Sequence, residues 1–245
     1  MTGHAGTDRT TLVTGAGSGI GRAIAVALAT AGGNVVLCGR RVEELGETAV
    51  QVEGAGGAPI VMPTDLASDD ALSRLATAVG EAGRGRLDVL VHAAATHVRG
   101  NLDELSPDDL DEMLRVNVRA PVLLTRLVLP LLRAAPGDVV FVNTSAALSS
   151  PPSSAAYAAS KAALRSAADS LRQHVNQDGI RVLSIFPGRT ATDLQAAIQR
   201  EEGRVYRPEL LLQPSDVAEV VVTFLRLPRT AEVTEVHLRP AIKSY

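Results

Sequence analysis

Tyr157 and Lys161 stand four residues apart in the run Tyr–Ala–Ala–Ser–Lys, so on a helix both side chains leave from one face. A phenol releases its proton near pH 10 in water, and an adjacent ammonium favours the phenolate. Lowering the phenol by three units takes about 4 kcal/mol of such interaction. A tyrosine tuned in this way serves as acid toward a carbonyl or as base toward an alcohol. Tyrosine and lysine at this spacing are common on exposed helices, so the pair takes its meaning from the rest of the chain.

A second group of residues supplies that meaning. After a first short apolar stretch, Thr14 opens the run Thr–Gly–Ala–Gly–Ser–Gly–Ile–Gly, which leads straight into helix-forming sequence. Glycines here let the chain turn tightly and let a ligand approach the backbone, while the helix start offers unpaired N–H groups to a pyrophosphate. The spacing is TGxxxGxG: Gly15, Ser18, Gly19 and Gly21 fall in the turn, and Ile20 stands where a GxGxxG fingerprint has its last glycine. A tight turn without a ligand is the plain alternative. The second strand ends in Cys38–Gly39–Arg40–Arg41, where an acidic residue would hold a ribose 2′-hydroxyl. Two guanidiniums there suit a 2′-phosphate instead, which makes NADP(H) the expected cofactor and NAD(H) the weaker fit. Cations are mildly unfavourable at a helix N-terminus, so their placement asks for a reason beyond solvation. A positively charged nicotinamide would favour the Tyr157 phenolate further.

The elements that must position these residues alternate along the chain. Apolar runs at 11–13, 35–38, 60–62, 89–91, 139–142, 182–186 and 233–238 give seven candidate strands, and segments with helical spacing lie at 21–31, 42–52, 69–80, 107–132, 155–175 and 214–227. That alternation predicts an α/β fold, a doubly wound seven-stranded parallel sheet of Rossmann type, in one domain over 1–245. Ser68, Ser106 and the Pro214–Ser215–Asp216 start supply caps and acidic first turns. Residues 1–8 read as a flexible tail, and 189–213 as the one long irregular region, a candidate lid over substrate. The 46% hydrophobic content comes from Ala, Val and Leu, with no Trp, three Tyr and three Phe, which favours apolar strands under Ala-rich helices.

Charge and composition exclude other classes. A formal charge of −3 offers no footprint for nucleic acid, so the partner should be a small molecule. Cys38 is alone and the five histidines are scattered, giving neither an intrachain disulfide nor metal-ligand spacing. The first ten residues lack a basic-then-apolar pattern, and Arg22 interrupts the apolar stretch at 20–31. A cytoplasmic protein without a membrane anchor is expected.

Together these motifs resemble the short-chain dehydrogenase/reductase family over residues 8 to 240. The resemblance rests on the TGxxxGIG turn, Asp65–Leu66 after the third strand, Asn117 in Arg–Val–Asn–Val, the YxxxK pair, and Pro187–Gly188–Arg189–Thr190–Ala191–Thr192. It implies that Gly15, Ser18, Gly19, Ile20 and Gly21 hold pyrophosphate, that Asp65 and Leu66 border adenine, and that Pro187, Gly188, Thr190 and Thr192 border the nicotinamide amide. It further implies that Lys161 holds the nicotinamide ribose and that Asn117 anchors a water for proton relay. Tyr157 would then interconvert a ketone or aldehyde and a secondary alcohol by hydride transfer. A homodimer or homotetramer is also implied, and the Ala-rich surface around 155–168 would allow close helix packing.

Two departures from the family pattern stand out. The substrate-binding hydroxyl thirteen residues before the tyrosine is Thr144, with Ser145 one later as the alternative. His92–Ala93–Ala94–Ala95 replaces the usual Asn–Asn–Ala–Gly, so His92, Ala93 and Ala94 are expected to border a cofactor through backbone contacts, and the His92 side chain reads as structural. Substrate-facing candidates are Thr96, His97 and Arg99, Leu148 and Pro151, and Gln195, Arg200, Arg204, Tyr206 and Arg207 of the lid region, whose arginines either bind a carboxylate or pair with Glu201 and Glu202. The segment Glu235–Pro240 resembles a subgroup that includes NADP-dependent 3-hydroxy acid dehydrogenases and ketoreductases of secondary metabolism. Competing readings are a cofactor-binding regulatory or scaffolding protein without turnover, and an epimerase or dehydratase, whose relatives usually carry a larger C-terminal substrate domain.

Overall fold

A computed structural model describes residues 9–242; the tail expected over 1–8 lies outside the described residues. The first half runs β1 (Thr10–Thr14), α1 (Gly19–Ala29), β2 (Asn34–Gly39), α2 (Val42–Gly54), β3 (Ala58–Pro63), α3 (Asp69–Ala82) and β4 (Val89–His92). The second runs α4 (Pro107–Leu114), a π-helical turn at Arg115–Arg119, α5 (Ala120–Ala134), β5 (Asp138–Val142), α6 (Ala146–Ser149), α7 (Ala155–Val175), β6 (Arg181–Pro187), α8 (Asp193–Glu201), α9 (Pro214–Arg226) and β7 (Glu235–Leu238). All seven strands are parallel, in the order β3-β2-β1-β4-β5-β6-β7.

Successive strand residues point to opposite faces, and both faces are covered. Leu12, Val36, Leu90, Val139 and Val182 meet Leu72, Leu75, Leu124, Val128 and Leu164 of α3, α5 and α7. Val13, Val35, Val91, Val140 and Leu183 meet Ile24, Leu45, Val52, Val217 and Phe224 of α1, α2 and α9. Burial on both sides is why the strands read as unbroken apolar runs. The caps form as the sequence indicates: Ser68 accepts from Ala71 N, Ser106 from Asp109 N, and Gln213 and Asp216 complete a capping box. Below the sheet, Asp138 is 1% exposed and accepts from Arg181 Nε at 2.8 Å and Arg229 Nη1 at 2.8 Å, tying the starts of β5 and β6 to the loop after α9.

Two expectations need correction. The helix expected over 107–132 is split by the π-helical turn. The region 189–213 is not irregular throughout: Thr192 caps α8 by accepting from Gln195 N at 3.2 Å, and a 3₁₀ turn follows at Pro208–Leu210. Strand order reverses between β1 and β4, because the chain crosses from β3 at the edge back to the centre. Ligands bind at such a switch point, outside the carboxyl ends of the strands.

Candidate active site

The glycine turn leaves β1 at that switch point. Gly15 takes φ +67°, and a Cβ there would lie 2.8 Å from the Ala94 backbone; one on Gly21 would collide with the Gly15 carbonyl oxygen. The turn is therefore folded against the start of α1 and against the β4 exit, with no room for a side chain at Gly15 or Gly21. Ser18 supplies no side-chain cap to α1, so the first-turn N–H groups keep their need for an acceptor. They face a cavity of about 290 Å³ lined by Gly15, Ser18, Gly19, Ile20 and Gly21 on one side.

The exit from β4 is pinned by a side chain that the motif reading passed over. Thr14 Oγ1 accepts from Ala93 N at 3.1 Å and Ala94 N at 3.3 Å, and donates to Val91 O. This hydroxyl supplies the inter-strand tether that Ala93 cannot, and Ala93 and Ala94 line the cavity. His92 turns away from it. The imidazole is buried, stacks on Phe141 at 4.9 Å and meets Thr125 Oγ1 at 2.8 Å. Burial first, and the Lys161 charge second, push it down to about 3, so it is a neutral core residue.

The end of the cavity beside the exits of β2 and β3 is formed by Arg40, Arg41, Asp65 and Leu66. Arg41 donates to Ser18 Oγ at 3.0 Å and pairs with Glu44 at 2.9 Å. The end of β2 is thus not free of carboxylate, although Glu44 is matched by Arg41, and Arg40 makes no ion pair among the described residues.

At the other end, α7 brings Tyr157 and Lys161 to the same cavity as the glycine turn. Burial pushes the Tyr157 phenol up to about 12, and a hydrogen bond with the Thr144 hydroxyl pulls it back. Lys161 is 2% exposed; its Nζ donates to Val142 O at 3.0 Å, and burial lowers it to about 8. On the phenol, burial outweighs the Thr144 side chain, while the Lys161 ammonium is engaged by Val142 O. Ser145 is exposed and engages Pro187 O only through its backbone N–H. Asn143, also missed, donates to Lys161 O at 3.1 Å and accepts from Thr144 N at 3.0 Å, coupling the β5 exit to α7.

Asn117 lies in the π-helical turn, fully buried. Its Oδ1 accepts from Thr96 N at 2.9 Å, and its Nδ2 donates to Thr96 O at 2.9 Å and Ser160 Oγ at 3.0 Å. Ser160 in turn donates to Tyr157 O at 2.8 Å. Asn117 therefore clamps the loop after β4 onto α7. Around the exit of β6, Thr192 lines the cavity, joined by Asp193 and Leu194 of α8, whereas Pro187, Gly188 and Thr190 lie outside its lining; Gly188 N is bonded to Leu238 O and the Thr190 hydroxyl to Gly188 O. In the expected lid, Glu202 pairs with Arg189 at 3.1 Å and with Arg204 at 3.3 Å, which occupies Arg204. No described helix is long and apolar enough to cross a membrane.

The sequence pattern of the short chain dehydrogenases matches residues 9–203. An uncharacterised oxidoreductase of Staphylococcus aureus (strain USA300) is 31% identical over 235 residues, 96% of this chain and 98% of the relative. Among solved structures, a metagenomic short-chain oxidoreductase in complex with NADP is 32% identical with a TM-score of 0.83, covering 96% of this chain and 98% of that one. A 3-oxoacyl-[acyl-carrier protein] reductase from Brucella melitensis in complex with NAD is 27% identical with a TM-score of 0.84, covering 94% and 95%. The match spans most of the chain and the relative aligns nearly end to end, on a sheet whose switch point holds a glycine-rich turn, a half-buried tyrosine and a buried lysine: the chain belongs to the short-chain dehydrogenase family.

Proposed function

We propose that the protein is an NADP(H)-dependent oxidoreductase that interconverts a ketone or aldehyde and a secondary alcohol, with Tyr157 as general acid/base. The observation that carries this reading is the convergence, in one cavity, of the glycine turn with the Tyr157 and Lys161 side chains. The uncapped first turn of α1 and the bare backbone at Gly15, Gly19 and Gly21 fit a pyrophosphate. Arg40 and Arg41 fit a 2′-phosphate, the feature favouring NADP(H) over NAD(H). Asp65 and Leu66 would border the adenine, and Thr192 the nicotinamide. Bound nicotinamide would exchange hydride with the substrate carbon.

The chain's own residues account for the proton. A protonated phenol is the form needed to donate to a carbonyl oxygen as charge develops there, and burial holds Tyr157 in it. Thr144 supports the same oxygen from its hydroxyl, and its contact with Tyr157 favours it over the exposed Ser145. Lys161, held under the tyrosine by Val142 O, is the cation that would stabilise phenolate and meet the nicotinamide ribose. Residues 189–213 would act as the lid, supported by Thr192, Asp193 and Leu194 in the cavity wall. A homodimer or homotetramer belongs to the same reading, supported by the exposed stripe Ala159, Ala162, Ala163 and Ser166 on α7; light scattering on the purified chain tests it.

The catalytic test is titration with NADPH and NADH by fluorescence, then a carbonyl panel followed at the reduced-cofactor absorbance, with Tyr157→Phe alongside. Tighter NADPH binding and turnover abolished by the substitution are expected. Absence of binding to either cofactor would sink the proposal, and binding without turnover on a broad panel would leave a regulatory protein in its place.

A further inference from the structure

The loop from Thr96 to Gly100 is held at both ends. At its start, Asn117 takes both backbone polar groups of Thr96. At its end, Gly100 bridges to Ser154 and its N–H donates to Ser153 O at 3.0 Å. Between these anchors the His97 ring lies edge-on to the Tyr157 ring, with centroids 4.8 Å apart and planes at 73°. His97 Nε2 is 3.3 Å from Ser154 Oγ, leaving Nδ1 without a partner among the described residues. A loop fixed twice around one half-buried imidazole is not a solvated connection. It presents a defined polar edge beside the acid/base.

The charged groups around His97 are Arg99 on its own loop and Glu201 on α8; Tyr157 and Ser154 complete the neighbours from α7 and its approach. Burial first, then Arg99, lowers the imidazole below its ordinary range, with Glu201 opposing. It is therefore neutral near pH 7 and offers one donor and one acceptor. His97 touches the ring of Tyr157, so a substrate whose reacting oxygen meets the phenol hydroxyl presents its next one or two carbons to the imidazole.

We propose that His97 is a specificity-determining residue that hydrogen-bonds a second oxygen of the substrate, carried on the carbon next to the reacting carbonyl or one further along. This rests on the oxidoreductase reading above, and it narrows the substrate class to α- or β-oxygenated ketones. Ser154 is the positioning residue that sets the imidazole's orientation.

The test compares matched ketones with NADPH: 2,3-butanedione against 2-butanone, and 2,4-pentanedione against 2-pentanone, each with kcat and KM resolved. Diketones are intrinsically more electrophilic, so the readout is the change in the diketone-to-monoketone ratio of kcat/KM on substitution. His97→Phe keeps an aromatic edge on Tyr157 and removes both nitrogens; the ratio is expected to fall about tenfold, chiefly through KM. His97→Gln should restore part of it, and Ser154→Ala should move it the same way by less. The variants are checked for folding by circular dichroism, and His97→Leu, which also removes both nitrogens, carries the test if His97→Phe does not fold. A ratio within about twofold of wild type in the variant that lacks both nitrogens, with both ketones turning over, would overturn the assignment of His97 alone. Absence of turnover on every ketone with either dinucleotide would overturn the oxidoreductase reading and this assignment with it.

Discussion

Replacing Asn117 by alanine tests whether the clamp on the loop after β4 is what holds the substrate side of the site in place. The fully buried amide makes three bonds, two to the Thr96 backbone at 2.9 Å and one to Ser160 Oγ at 3.0 Å. Truncation leaves the Thr96 N–H and C=O without protein partners, and each net bond is worth about 1 kcal/mol, more where the orphaned group stays dry. Thr96 is half-buried, so water reaches part of it. The expected loss is about 2–4 kcal/mol. Ser160→Ala removes one of the three bonds to Asn117 and should cost about 0.5–1.5 kcal/mol. Asn117→Asp keeps the acceptor for Thr96 N but sets a second oxygen against Thr96 O in a buried place. Its carboxyl should titrate above the ordinary carboxylate range, so the variant loses stability as pH rises through that raised value and regains it when protonated. Guanidinium unfolding at constant m gives the energies, and hydrogen exchange at the Thr96 and His97 amides locates them. A loss below about 1 kcal/mol for Asn117→Ala, with the Thr96 amide as protected as in wild type, would refute the clamp.

Three further outcomes follow from the same contacts. Asp138→Ala leaves the 5%-exposed Arg181 guanidinium without its carboxylate and should cost about 3–5 kcal/mol, whereas Arg229→Ala, removing a half-exposed arm, should cost about 1 kcal/mol or less; equal losses in denaturant melts would contradict this. Cys38, raised to about 12 by burial, should resist iodoacetamide in the native state at pH 8 and react fully once unfolded; linked stability is complete below about pH 9 and declines as pH rises toward 12, and rapid native labelling seen by mass spectrometry would contradict the burial. With Tyr157 protonated up to about 12, ketone reduction should hold level from pH 6 to 8 while alcohol oxidation climbs with pH, and oxidation fastest at pH 6 would remove Tyr157 from the acid/base role.

The fold was legible because its signals are local and repeated. The inner strands are largely apolar on both faces since helices cover both, whereas the edge strand β7 carries Glu235 and His237, and the caps at Ser68 and Ser106 form where the residues stand. The glycine turn was legible for a different reason: a Cβ at Gly21 would meet a carbonyl oxygen, so the geometry writes itself into residue type. What could not be read was any partner far away in sequence. Thr14 tethering Ala93 and Ala94, Asn143 bonding Lys161 O, and Asn117 reaching Thr96 and Ser160 are contacts between strand exits that only the assembled sheet brings together.

One miss did carry a local signal. Pro121 has no N–H to give the Asn117 carbonyl four residues earlier, and its ring crowds that oxygen, which disfavours a regular helix here, although Pro130 is accommodated inside α5 without a π turn. The chain widens instead into the π-helical turn, with Ala120 N bonded to Arg115 O, and Asn117 is held inside it. π-helical turns concentrate at functional sites because the widened backbone costs stability that a plain helix would keep. Here the widened turn carries the amide that fixes Thr96, and Thr96 precedes the histidine that meets Tyr157. Restoring a backbone donor with Pro121→Ala should therefore favour a regular helix over 107–134, withdraw the amide from Thr96, and raise KM for substrate while leaving the dinucleotide end of the cavity in place.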